Sequence, residues 1–114
     1  MFASLDEFLA ELTTLMEELF PAAQIQTVYS RIDRITLRLV LDVSLFVDVY
    51  FNADNARFDF SLIKEGDRVF GYDNLKSWHY HPFEDPNQHI SCSQPSLRHI
   101  VQETNHFVDL LQKS

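Results

Sequence analysis

Apolar and polar positions change rhythm twice along this chain, and each change marks a new kind of element. Leu5, Phe8, Leu9, Leu12, Leu15, Met16 and Leu19 recur at spacings of three and four, with Glu11, Glu17 and Glu18 between them. That spacing draws one apolar stripe along a helix and leaves the other side wet. Ser4 followed by Glu7 predicts the start as a capping box, and Pro21 predicts the end near Phe20.

From Ile25 the period becomes two. Ile35, Leu37, Leu39 and Leu41 alternate with Thr36, Arg38 and Val40. Val43, Leu45, Val47, Val49 and Phe51 alternate with Ser44, Phe46, Asp48 and Tyr50, and Phe58, Phe60 and Leu62 with Arg57, Asp59 and Ser61. One apolar and one more polar face per run is the pattern of antiparallel strands. The short connections Ala53-Asp-Asn-Ala56 and Lys64-Glu-Gly-Asp67 suit hairpins. Further strands at about Gln24 to Arg31 and Arg68 to Tyr72 bring the meander to about five. Helical spacing then returns: Pro95 is expected in a first turn, with Leu97, Ile100, Val101, Thr104, Phe107, Val108 and Leu111 as the inner stripe. The expected fold is α+β, a single domain over residues 1–114. Its antiparallel meander sheet of about five strands carries the N- and C-terminal helices on one face.

Composition narrows the setting. A chain of 114 residues, 46% hydrophobic and 23% charged, can bury a core without staples. The net charge of −8 argues against broad binding to nucleic acid or anionic membranes, which needs basic surface. Cys92 is the only cysteine, so no intramolecular disulfide forms and an oxidising compartment is not indicated. The start MFASLDEF lacks the features of a signal peptide, and Asp42 and Asp48 interrupt the most apolar segment, Leu37 to Phe51. A cytoplasmic protein with no membrane association is expected.

Only the segment from about Asp73 to Gln94 has no period. It and the residues just before it read Gly71-Tyr-Asp-Asn-Leu-Lys-Ser-Trp-His-Tyr-His-Pro-Phe-Glu-Asp-Pro-Asn-Gln-His89. A loop of this length in a compact domain is usually functional or disordered, and its aromatic residues argue for order. If His79-Tyr80-His81 is extended, the two imidazoles point to one side and the tyrosine to the other. Imidazoles suit acid–base work near neutral pH. The candidate catalytic residues are therefore His79, His81 and His89, with His79 and His81 expected to carry the protons and Asp73 or Asn74 holding one of them in place. Tyr72, Asn74, Trp78, Tyr80, Arg34 and Arg38 are candidate substrate-binding residues, the aromatics to stack on a base and the arginines to face a phosphate. The spacing of His79, His81, His89 and Cys92 matches no standard zinc signature, so neither a metal nor a cofactor is expected. The competing reading makes the histidines fasteners of loop carbonyls, Trp78 and Phe83 plugs of the sheet edge, and the arginines partners of Asp33, Asp42 or Asp48.

The order Arg57-Phe-Asp-Phe60, Phe70-Gly-Tyr-Asp-Asn74, then His79, His81 and His89 ahead of a Pro95-led final helix resembles a known family. The family is the prokaryotic TumE-like proteins, toxin components of TumA/TumE-type toxin–antitoxin pairs, and the likeness spans roughly Val47 to Leu111. The chain has Trp78-His79-Tyr80-His81 where the family typically has adjacent histidines, and neutral Asn87-Gln88-His89 where the family has a basic histidine pair, so it resembles a divergent member. The resemblance implies growth inhibition countered by an antitoxin-like protein partner. Joined to the residue chemistry, it gives the expectation of a toxin-like protein that cleaves RNA by metal-independent histidine acid–base catalysis. The alternative is a non-catalytic module that binds a protein or pairs with itself as a homodimer, its histidine and aromatic loop being structural.

Overall fold

A computed structural model describes residues 2–113. The chain opens with helix α1 (Leu5–Leu19), followed by strands β1 (Gln24–Ser30), β2 (Arg34–Asp42), β3 (Leu45–Asn52), β4 (Arg57–Lys64) and β5 (Asp67–Asp73). Two short strands, β6 (His79–His81) and β7 (Ile90–Ser91), precede helix α2 (Leu97–Lys113). All seven strands form one antiparallel sheet in sequence order. The α+β meander is thus the expected architecture with two more strands than the periodic runs show. Both added strands lie in the segment that has no period, because a pairing of two or three residues is too short to display one.

Both helices cover one face of the sheet. Phe8, Leu12, Leu15 and Met16 of α1 and Leu97, Ile100, Val101 and Val108 of α2 join the inner strand residues in one buried cluster. Leu37, Leu39, Val47, Val49, Phe58 and Phe60 are all buried in it, as their alternation predicts. The rings of Phe8 and Phe51 stack 4.6 Å apart between α1 and the sheet. The Ser4 hydroxyl accepts the Glu7 amide, and the Glu7 carboxylate reaches back to the amide of Ala3. No helix among the described residues is long and apolar enough to cross a membrane.

Two local expectations give way to turn and cap chemistry. Val43 continues the alternation of β2 and β3, yet it lies in the turn between them with 89% of its surface exposed. Ser44 beside it takes the left-handed conformation, φ 59°, that closes a tight hairpin. At the other end, the Ser96 hydroxyl accepts the amide of His99 and caps α2, so Pro95 precedes the cap instead of entering the first turn.

The face away from the helices is polar and positions the site. Arg57, Asp59 and Ser61 of β4 and Gly71 and Asp73 of β5 share it, with the pairs Asp59↔Asp73 and Ser61↔Gly71. The pairing of β4 with β5 then shifts, from Leu62↔Phe70 to Ile63↔Arg68. The extra residue, Val69, is a β-bulge, and it turns Arg68 onto the polar face.

Candidate functional site

The β5–β6 register sets Asp73 opposite His79 and Gly71 opposite His81. Side chains two apart on a strand point the same way, so both imidazoles stand beside Asp73 on the polar face. The Oδ2 atom of Asp73 lies 3.1 Å from Nε2 of His79 and 3.1 Å from Nε2 of His81. Its Oδ1 accepts the Leu75 amide at 2.9 Å. The far nitrogen of each ring is also held: Nδ1 of His79 is 3.0 Å from the Ser77 carbonyl, and Nδ1 of His81 is 3.0 Å from the Pro86 carbonyl. A carbonyl oxygen can only accept, so each Nδ1 carries a proton and donates it.

His89, exposed on the segment between β6 and β7, completes the cluster. Its ring stacks on His79 at 4.9 Å and 6° and meets His81 at 4.5 Å and 66°. One nitrogen from each of the three rings lies within 4.8 Å of the others. Nη1 of Arg68 sits 3.0 Å from Nε2 and 3.4 Å from Nδ1 of His81. A point nearly equidistant from both ring nitrogens lies over the ring face, so the guanidinium occupies neither lone pair. Arg68, His81 and His89 line an open cleft of about 390 Å³ with Asp67, Pro86 and Asn87.

Electrostatics separate the two carboxylates of this face. Burial pushes the Asp73 carboxyl up, but the Leu75 amide, His81, and the charges of His79 and Arg57 together outweigh it and hold it below its usual range. Burial raises the carboxyl of neighbouring Asp59, against the Ser61 hydroxyl and Arg68, and the charge of Asp73 adds to the rise. Asp73 is therefore the settled anion of the face.

Of the ten residues singled out in the sequence, the fold gathers four in this cluster: Asp73, His79, His81 and His89. Tyr72, Trp78 and Tyr80 point to the helix face. The Tyr72 hydroxyl donates to Glu103 at 2.8 Å, Tyr80 packs on Tyr72, and Trp78 packs on Phe58. Burial, then Glu103, raises the Tyr72 hydroxyl far above its ordinary range. Asn74 fastens β4: its side chain accepts the Phe58 amide and donates to the Ala56 carbonyl. Arg34 and Arg38 lie on β2, three strand spacings or about 14 Å from β5. They pair with Asp33 and Asp48 at 3.0 and 2.9 Å.

Arg68 and Arg57 hold the cationic places near the cluster instead, Arg57 with Nη1 4.0 Å from Oδ1 of Asp73. Simple alternation assigns Arg68 to the helix side with Phe70 and Tyr72, and the bulge at Val69 reverses it. No residue-level signal in the sequence marks that bulge. Cys92 is not among the converging groups. Its amide donates to the Trp78 carbonyl, and burial followed by Glu103 raises its thiol. Comparison of the chain with protein-family models, curated proteins and solved structures finds no match.

Proposed function

We propose that this chain is a toxin-like component of a prokaryotic toxin–antitoxin pair, and that it cleaves RNA at the Asp73–histidine cluster. The observation that carries the reading is the convergence of Asp73, His79, His81 and His89 with Arg68 at an open cleft. Buried carboxylate–imidazole contacts at 3.1 Å organise a site, and an exposed imidazole beside them can exchange protons with a bound molecule. His79 and His81 are tethered at both ring nitrogens, so the proton carrier is His89.

In this reading a phosphodiester enters the cleft with its oxygens toward Arg68. His89 takes the proton of the 2′-hydroxyl and the 2′-oxygen bonds the phosphorus. The bond from phosphorus to the 5′-oxygen breaks, that oxygen takes a proton from water, and the hydroxide so formed takes the proton from His89. The cluster supplies local basic groups on a chain whose net charge is −8, so binding is local and not spread over the surface. The resemblance to TumE-like proteins supports the toxin role and an antitoxin-like partner, and the single cysteine, Cys92, supports a cytoplasmic setting.

The test is incubation of purified protein with an RNA and with the same strand carrying 2′-deoxyribose throughout. The reading expects cleavage of the first alone, to cyclic phosphate ends, and loss of growth arrest in cells with His89→Ala. Intact RNA together with unchanged growth arrest by the His89 variant overturns it.

A second reading, a protein-binding or self-pairing module, draws on β1. Every residue of this edge strand is exposed and none is charged, which leaves its outer hydrogen-bonding groups open to another strand. Val28→Lys should weaken such pairing, and sedimentation of wild type as a monomer with and without the partner counts against it.

A further inference from the structure

We propose that Asp73, His79 and His81 hold a divalent transition-metal ion of the zinc type, with His89 beside its open coordination position. The hydrogen bonds of the two rings point to it. Both Nδ1 atoms donate to main-chain carbonyls, at Ser77 and Pro86, so Nε2 is the nitrogen each ring has for a metal ion. Both Nε2 atoms lie 3.1 Å from the same carboxylate oxygen. Three electron-rich atoms thus converge where Asp73 is 6% and His81 3% exposed. A divalent cation held between these atoms is bound by both imidazoles and the carboxylate at once.

Geometry agrees. Ligands about 2.0–2.1 Å from a tetrahedral ion stand about 3.3 Å from one another, and the Asp73–histidine separations are 3.1 Å. Carbonyls that fix the outer ring nitrogens are the usual support of metal-bound histidines. Two imidazoles and one carboxylate suit zinc and its neighbours, whereas magnesium and calcium favour oxygen alone.

His89 stays outside the shell for a geometric reason. Its plane lies 6° from that of His79, with centroids 4.9 Å apart. Lone pairs lie in the ring plane, so two parallel stacked rings cannot aim at one ion. An ion with three protein ligands keeps a position for water or substrate, and a ring nitrogen of His89 lies within 4.8 Å of those of His79 and His81. The ion rests on the functional reading above only for its role, as Lewis acid beside the proton carrier, and its presence is read by binding alone.

Chelator-stripped protein is titrated with Zn²⁺ by calorimetry and with Co²⁺ by visible absorption. The expected result is one ion per chain, with the intense cobalt bands of a four- or five-coordinate site. His81→Ala and His79→Ala should abolish binding, and His89→Ala should keep one ion per chain while losing RNA cleavage. Absence of stoichiometric Zn²⁺ uptake by folded wild type overturns the site, whatever the variants do. Uptake that survives in folded His81→Ala, or that His89→Ala alone removes, also overturns it. Zinc uptake without RNA cleavage leaves the ion and removes the functional reading; RNA cleavage by a chain that takes up no zinc does the reverse.

Discussion

Asp73 and His81 face each other diagonally across the β5–β6 pair, and the 3.1 Å contact between them is the most enclosed polar contact of the cluster. Asp73 opens the least regular stretch of sequence and His81 lies within it, eight residues on. Asp73→Asn keeps an acceptor for the Leu75 amide but cannot serve two imidazoles as an anion. It should lower stability by about 1–3 kcal/mol, read as a fall in denaturant midpoint, and remove growth arrest. Wild-type values for both would separate the carboxylate from the site.

His89→Ala should cut RNA cleavage on the order of 10²–10⁴-fold with the melting temperature unchanged, because the ring is exposed and packs only on other imidazoles. A parallel loss of folding, seen by circular dichroism, would make His89 a fastener of the segment before β7.

Leu39 and Val43 continue one alternation and should behave in opposite ways. Leu39 is 0% exposed, so Leu39→Ala should cost about 2–5 kcal/mol. Val43 lies in a turn, so Val43→Ala should change stability by less than about 0.5 kcal/mol. Urea titration of the pair distinguishes core from turn directly.

This contrast shows where the sequence was legible. Long periodic runs predict the helices, β2 to β5 and the residues that meet in the core, because burial on one face imposes a period. Periodicity is blind to a turn filled by an apolar residue, as at Val43, and to a bulge, which is why Arg68 went unassigned and Arg34 and Arg38 stood in its place. The pairing of Asp73 with His79 and His81 was partly legible, since adjacent loop residues of matching chemistry suggested it. Extended His79-Tyr80-His81 sends Tyr80 away from the imidazoles as its alternation predicts, whereas no period announces the turn of Trp78 onto Phe58.

Gly71→Ala should be costly although glycine's backbone freedom is not the reason. A Cβ at this position would stand 2.8 Å from the Phe60 carbonyl oxygen and 3.3 Å from the Ser61 Cα, both main-chain atoms that cannot swing aside. A loss of about 1–3 kcal/mol in denaturant titration is expected. Gly71 pairs with both Ser61 and His81, so growth arrest should weaken too.

Asp59 makes a prediction of sign. Its carboxyl is raised mainly by burial, so its ionised form costs the folded state stability above that raised value, and the cost vanishes as falling pH protonates the group. Asp59→Asn should therefore raise the denaturant midpoint near pH 7 and leave it near wild type at about pH 3, below the ordinary carboxylate range. An unchanged difference across that span would show that the charge of Asp59 is not the cause.

The cluster hangs on the slenderest part of the sheet. β6 pairs with β5 over Gly71↔His81, Tyr72↔Tyr80 and Asp73↔His79, and with β7 over only two pairs, while β2 with β3 and β3 with β4 pair over eight residues each. Opening of a few main-chain bonds at β6 scatters the imidazoles and leaves the packed centre intact. Amide exchange at His79 to His81 should accordingly be orders of magnitude faster than at Val47 to Phe51. The molecule can thus switch its chemistry off by a local breath, at a rate that no melting curve records.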